Sequence, residues 1–164
     1  MDERLAKFRT PEDCEQFAIN VQARLPDIAQ AARRKAVVLR AAAYGAESVA
    51  EREAIEAVYA YERVLSDRKG KKIRASRTWQ MIERHGIIEA VERAVSRPAD
   101  PSGFTALAKI GMLDLAFESV VRRYPDVFSP EAVARSAERL QAWQAAAEAS
   151  AATEKNRTPG EQGA

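Results

Sequence analysis

The strongest constraint in this sequence is its punctuation. Helix start signals and helix terminators alternate along it, and apolar residues recur at helical spacing between them. The stretch TPEDCEQFAINVQARL offers Thr10 as a cap, Pro11 at the first helical position, and Glu12 and Asp13 at the positive end of the helix dipole. Cys14, Phe17, Ala18, Val21 and Leu25 then fall on one face, and Pro26 ends the run. A second helix is expected from Asp27 to Tyr44, with Ile28, Ala31, Ala32, Leu39, Ala42 and Ala43 inward and Gly45 as a left-handed terminator. Arg33, Arg34 and Lys35 form a basic turn that partly faces water. The connection between these two helices is very short, so they should pack antiparallel. Ser48 and Glu51 make a capping box for a third helix that runs to about Leu65.

After a basic segment, Ser76 reads as the cap of a helix over Arg77–His85, which Gly86 ends. A further helix is expected over Ile87–Ser96, with Trp79, Ile82, Ile87, Ile88, Val91 and Val95 inward across the two. FTALAKIG and MLDLAFESVVRRY each read as one helix, and Ser129 with Pro130 opens a last long one reaching about Ala152. Composition supports the same class: apolar residues make up 46%, led by alanine, the best helix former. The expected fold is all-α, a compact multi-helix bundle of about seven to eight helices with an exposed basic loop and a disordered C-terminal tail. Residues 1–66 form a three-helix part, 67–77 the basic loop, 78–152 a second helical part and 153–164 the tail, which lacks apolar anchors.

One cysteine, Cys14, leaves no internal disulfide, and with no secretory segment in MDERLAKFRT it favours a reducing cytoplasm. No run approaches the roughly 20 apolar residues of a membrane span. The net charge of +2 conceals an asymmetry. Between Arg63 and Arg77 stand seven basic residues and one acid, Asp67, so fifteen residues carry +6 and the rest of the chain is net acidic. Charge gathered in this way fits nucleic-acid phosphate, DNA foremost, through Arg68, Lys69, Lys71, Lys72, Arg74 and Arg77. The helix start at Ser76 adds free backbone N–H groups, and Trp79 beside it could stack on a base. The same charge also suits the acidic surface of a protein partner, or a loop that only aids solubility.

RTWQMIERHGIIEAVERAV has the outline of a helix-turn-helix, with Gly86 at the turn. Its second helix carries Glu89 and Glu92, which would repel phosphate where a groove reader needs Arg, Asn or Gln. Two short core-packing helices are therefore the better reading, and any DNA contact falls to the basic loop and the start of the first helix. His85, the only histidine, reads as a helix-terminal cap, and Cys14 as inert core. Asp114 with Glu118 and Glu47 with Glu51 are spaced four apart, but no Lys or His joins them at a catalytic or metal-binding spacing. Arg122, Arg123 and Tyr124 read as favourable charge at a helix C-terminus. Trp143 either anchors the last helix in the core or sits on a homodimer face. No phosphate-binding glycine loop, nucleophile elbow, HExxH or CxxC occurs. The sequence points away from an enzyme and calls for no cofactor or metal.

The runs RASRTWQMIERHGIIEAVERAV and GFTALAKIGMLDLAFESVVRRYPDVFSPEAV resemble a family of small bacterial helical proteins to which no activity is assigned. The resemblance covers most of the chain after Glu12 and implies a bacterial, cytoplasmic protein. It transfers no site residue. From the residues themselves, the expected function is non-enzymatic nucleic-acid binding in an accessory or regulatory role. The alternative is a helical module that docks on a partner protein as adaptor or inhibitor.

Overall fold

The computed structural model describes residues 2–156. Among these residues the chain forms α1 (Glu3–Ala6), α2 (Pro11–Val21), α3 (Pro26–Tyr44), α4 (Val49–Lys69), α5 (Ser76–His85), α6 (Ile87–Ser96), α7 (Pro101–Lys109), a 3-10 turn (Leu113–Leu115), α8 (Phe117–Arg123) and α9 (Pro130–Asn156). It is all-α, with no strand among the described residues.

Local chemistry sets most of these boundaries. The Thr10 hydroxyl accepts from the Asp13 N–H at 3.1 Å, Ser48 accepts from the Glu51 N–H at 3.1 Å, and Ser129 accepts from the Ala132 N–H at 3.2 Å. Gly45, at φ +80°, closes α3 in the left-handed region that other residues rarely adopt. Pro11, Pro26, Pro101 and Pro130 each begin a helix, where a missing N–H costs nothing.

Helix α4 is the axis of the bundle. Ala50, Ala54, Ile55, Ala57, Val58, Ala60 and Val64 are all buried along it. Its first half packs on α6 and α8 through Ala54, Ala57, Val91, Val95, Val120 and Val121. Its second half meets α7 and the 3-10 turn through Ala60, Val64, Phe104, Leu107 and Leu115. A third face, Ile55 and Val58, packs with Trp79 and Ile82 of α5 and Ala41 of α3. Small side chains on so many sides let neighbouring backbones approach closely while still excluding water.

Helices α2 and α3 form the expected antiparallel hairpin, in which Ala18, Ala29 and Ala32 are buried together with Leu5 of α1. Helix α1, a single turn capped by the Asp2 carboxylate, is an element not expected from the sequence. Two long-range anchors hold α3 to the other half of the molecule. Gln30 donates to the Lys109 carbonyl at 2.9 Å, and Arg34 forms a two-pronged pair with Asp114 while also reaching the Gly111 carbonyl.

Two expected elements are corrected. MLDLAFESVVRRY is not one helix: Ala116 is extended (φ −61°, ψ 145°) and separates the 3-10 turn from α8. The break is held by the Ser119 hydroxyl donating to the Leu113 carbonyl at 2.8 Å and by Arg123 donating to the Asp114 carbonyl at 2.7 Å. The tail expected over residues 153–164 is corrected in its first four residues. Thr153 to Asn156 continue α9, and the remainder lies outside the described residues.

Where α8 and α9 meet, the mostly buried Glu118 carboxylate lies 3.4 Å from Arg139, whose guanidinium also bonds the Arg97 carbonyl. Burial pushes the Glu118 carboxyl above its usual range, and the hydrogen bond from Arg139 opposes that push. Replacing Arg139 by Met leaves a buried charge unpaired and should cost about 3 kcal/mol in urea unfolding at neutral pH. The folded-state shift is upward, so the neutral carboxyl is the form tolerated in the fold. The deficit should therefore be small below the ordinary glutamate range and grow as pH rises through the raised value. Adding Glu118→Gln to Arg139→Met should recover much of the loss, as read by the same unfolding curves across pH.

Candidate functional site

The basic segment is more ordered than its composition suggests. Arg68 and Lys69, expected in a loop, complete the last turn of α4, and the true connection is only Gly70 to Ala75. Gly70 ends the helix at φ +66°. From there α4 itself templates the loop. The Ile73 N–H donates to the Ser66 hydroxyl at 2.9 Å, and the Ala75 N–H donates to Glu62 Oε2 at 2.8 Å. Glu62 and Ser66 are four apart and so share one side of the helix. The same Glu62 oxygen accepts from the Trp79 indole N–H at 2.9 Å. One carboxylate thus fixes both the end of the loop and the first turns of α5.

This strapping turns the cations outward. Arg68, Lys69, Lys71, Lys72, Arg74 and Arg77 are all exposed. Arg68 is committed to α7, donating to the Ser102 hydroxyl at 3.0 Å with Asp100 at 4.0 Å. Among the described residues the other five make no ion pair. Trp79 is placed differently from the six cations. It is only 8% exposed, its ring lies 5.6 Å from Tyr44 and 5.3 Å from Tyr59 between centroids, and the Arg74 guanidinium covers it at 5.5 Å. It supports the loop from below and offers no open face to a base. Nor does Ser76 cap α5: Ala75 holds the cap position and no side chain caps that helix.

Two adjoining clefts flank the loop. The larger, about 880 Å³, opens between the Arg9–Glu12 segment, the C-terminal half of α3, and the loop with α5. Leu39, Tyr44, Tyr59, Trp79 and Ile82 give it an apolar and aromatic wall, and Arg9, Arg40, Lys72 and Arg74 supply charge. The smaller, about 430 Å³, lies between α3 and the C-terminal half of α4. Arg33, Arg40, Arg63, Lys71 and Lys72 line it, against Glu15, Glu62 and Asp67. The two share Arg40, Tyr59, Glu62, Lys72 and Ile73, so they meet as one groove.

Most carboxylates in the groove are already engaged. Arg40 holds Glu15 at 2.6 Å and reaches Glu12 at 3.8 Å. Glu62 is occupied by the loop and Trp79. Arg63 Nε is sealed from solvent and sits 3.3 Å from Asp67 without the alignment of a hydrogen bond. Arg33 donates to Gln22 at 2.7 Å, and burial first, then the nearby Arg63 charge, push its guanidinium below the usual range. Burial and then Glu62 push the Tyr59 hydroxyl up.

The remaining sequence candidates have structural duties. Cys14 is fully buried in the α2–α3 hairpin. His85 lies 3.7 Å from Glu89, which also meets Arg93. Glu51 accepts from the Ser48 hydroxyl at 3.1 Å, Asp114 serves Arg34, and Glu118 serves Arg139. Among the described residues no group of three His, Cys, Asp or Glu could hold a metal ion. Helices α5 and α6 of the helix-turn-helix outline both turn a face to the core, Trp79, Ile82 and Ala90 in one cluster and Val91 and Val95 in another. Arg123 pairs with Glu53 near the start of α4, about 24 Å along that helix from Lys69 and far from the loop. Trp143 packs on Phe104 at the edge of the core and donates to Thr105 at 3.0 Å. No helix among the described residues is long and apolar enough to cross a membrane.

Fold and groove together define an all-α protein with a strapped cationic loop beside an aromatic-lined cleft. No protein-family model, curated protein or solved structure matches the chain.

Glu62→Ala should release the Ala75 N–H and the Trp79 indole together. Leaving two half-buried donors unpaired should cost about 2 kcal/mol in thermal or urea unfolding. In a Trp143→Phe background the emission of Trp79 should also shift to the red, and faster amide exchange at Ile73 and Ala75 would report the freed loop.

Proposed function

We propose that this protein binds nucleic acid, DNA foremost, by contacting backbone phosphates with the basic loop, in an accessory or regulatory role without catalysis. The observation that carries this reading is the outward display of Lys71, Lys72 and Arg74 on a loop that α4 holds in place, with Lys69 and Arg77 exposed at the helix ends on either side. A held loop has already lost much of its conformational freedom, so less ordering is needed on binding. Neutralising phosphates releases condensed counterions, which supplies affinity without regard to sequence. Sequence independence also agrees with α6, whose Glu89 and Glu92 are poor readers of base edges. The resemblance to small bacterial proteins makes a bacterial cytoplasm the proposed setting.

Fluorescence anisotropy of labelled duplex DNA, single-stranded DNA and RNA tests the reading. A site engaging about four phosphates should give a slope near −4 for log K against log salt on duplex, at about −0.9 per phosphate. Lys71→Glu with Lys72→Glu and Arg74→Glu should weaken binding at least about ten-fold at low salt and flatten that slope, with helicity by circular dichroism unchanged. Absence of wild-type binding to all three nucleic acids at low salt would overturn the proposal.

A further inference from the structure

The groove beside the loop carries a chemistry that backbone contact does not use. Its smaller chamber brings together Arg33 of α3 with Arg63 and Lys71, and holds five cations against three carboxylates. Those three carboxylates are turned to Arg40, to the loop and Trp79, and to Arg63. Arg33, Arg63 and Lys71 line one chamber, the Arg63 charge adds to burial in pushing the Arg33 guanidinium down, and Arg63 Nε lacks a hydrogen-bond acceptor among the described residues, so the cluster is an unfinished anion site. The larger chamber opens from it across Tyr59 and Lys72, and there the wall changes character. Tyr44 is 44% exposed, and Leu39 and Ile82 stand beside it. A ligand that reaches from one chamber into the other needs a compact, multiply charged anionic end and a planar apolar end. Both volumes lie in the range of small-molecule sites.

We infer that the groove binds a nucleoside 5′-phosphate, with the phosphate between Arg33, Arg63 and Lys71 and the base against Tyr44. The phosphate accepts from guanidinium N–H groups in paired fashion, which lysines alone would not orient. The base stacks on an exposed tyrosine, a contact open to any of the bases. This site goes beyond the loop's grip on nucleic acid; it shares Lys71 with that grip, while Arg33, Arg63 and Tyr44 lie outside the three residues altered in its test.

Calorimetric titration of the full chain at low salt with adenosine 5′-monophosphate, adenosine and inorganic phosphate decides it. The monophosphate should bind at least about ten-fold more tightly than either half alone. Arg33→Gln with Arg63→Gln should weaken the monophosphate and inorganic phosphate together, each about ten-fold or more. Tyr44→Ala, at an exposed position, should weaken the monophosphate about five-fold or more and leave inorganic phosphate unchanged. Monophosphate binding no tighter than that of inorganic phosphate, or unaltered by these variants, would overturn the inference. Comparison of 5′-phosphorylated and 5′-hydroxyl single-stranded oligonucleotides then separates two sources of the same group. A preference for the phosphorylated strand makes a strand end the ligand, and equal affinity makes it the free nucleotide. Wild type that binds the monophosphate yet fails to bind duplex, single strand and RNA would sink the loop reading and leave this one standing.

Discussion

Alanine at 50, 54, 57 and 60 is the constraint from which the rest of the molecule follows. A helix buried on several sides needs side chains small enough for its neighbours to approach and apolar enough to be left without water. α4 meets that need along most of its length, so α3, α5, α6, α7 and α8 can gather around one axis. Leucine at those positions would have pushed the surrounding helices apart. The arrangement also dictates where polar residues of α4 can stand. On the side that meets the loop they form a partly buried strip, with Glu62 and Ser66 a turn apart on it.

That strip makes the functional surface. Glu62 places one carboxylate oxygen under both a backbone N–H and an indole N–H, and Ser66 holds the loop a turn further on. The loop inherits the rigidity of α4, and its cations are presented from a fixed frame. The groove arises because the same loop stands opposite the α2–α3 hairpin, which the Gln30 and Arg34 anchors hold to the α7 side of the bundle. Electrostatics and scaffold are therefore coupled through a few side chains, none of which belongs to a recognisable motif.

Much of the fold was legible because caps and terminators act locally. Thr10, Ser48, Gly45, Gly86 and Pro130 each mark a boundary by their own chemistry, and the structure places helices where they indicate. Boundaries set from a distance were not legible. α4 runs through Arg68 and Lys69 because both are good helix formers and Gly70, not the charge, is the stop. Ala116 breaks a helix without any breaker residue, since Ser119 and Arg123 bond the carbonyls around it. The six exposed cations of the site could be found by counting charge. Trp79 could not be assigned, because an aromatic at a helix start reads the same whether it stacks on a ligand or on Tyr44 and Tyr59. The groove residues Arg33, Arg40, Tyr44 and Tyr59 come from parts of the chain about 11 to 37 positions before the loop, and only folding brings them beside it.

The small helix at the start of the chain has a consequence of its own. Four residues cannot sustain a helix unaided, so α1 exists only while Leu5 is buried against Ala18, Ala29 and Ala32. It behaves as a stopper over the end of the hairpin, held by Leu5 and by Lys35 reaching the Leu5 carbonyl. A unit so small and so lightly held opens more readily than the bundle beneath it. Each opening uncovers a patch of alanine with Phe8 and Phe17 at its rim. Self-association that started from such an opening would begin at the hairpin it covers, with the bundle beneath still folded.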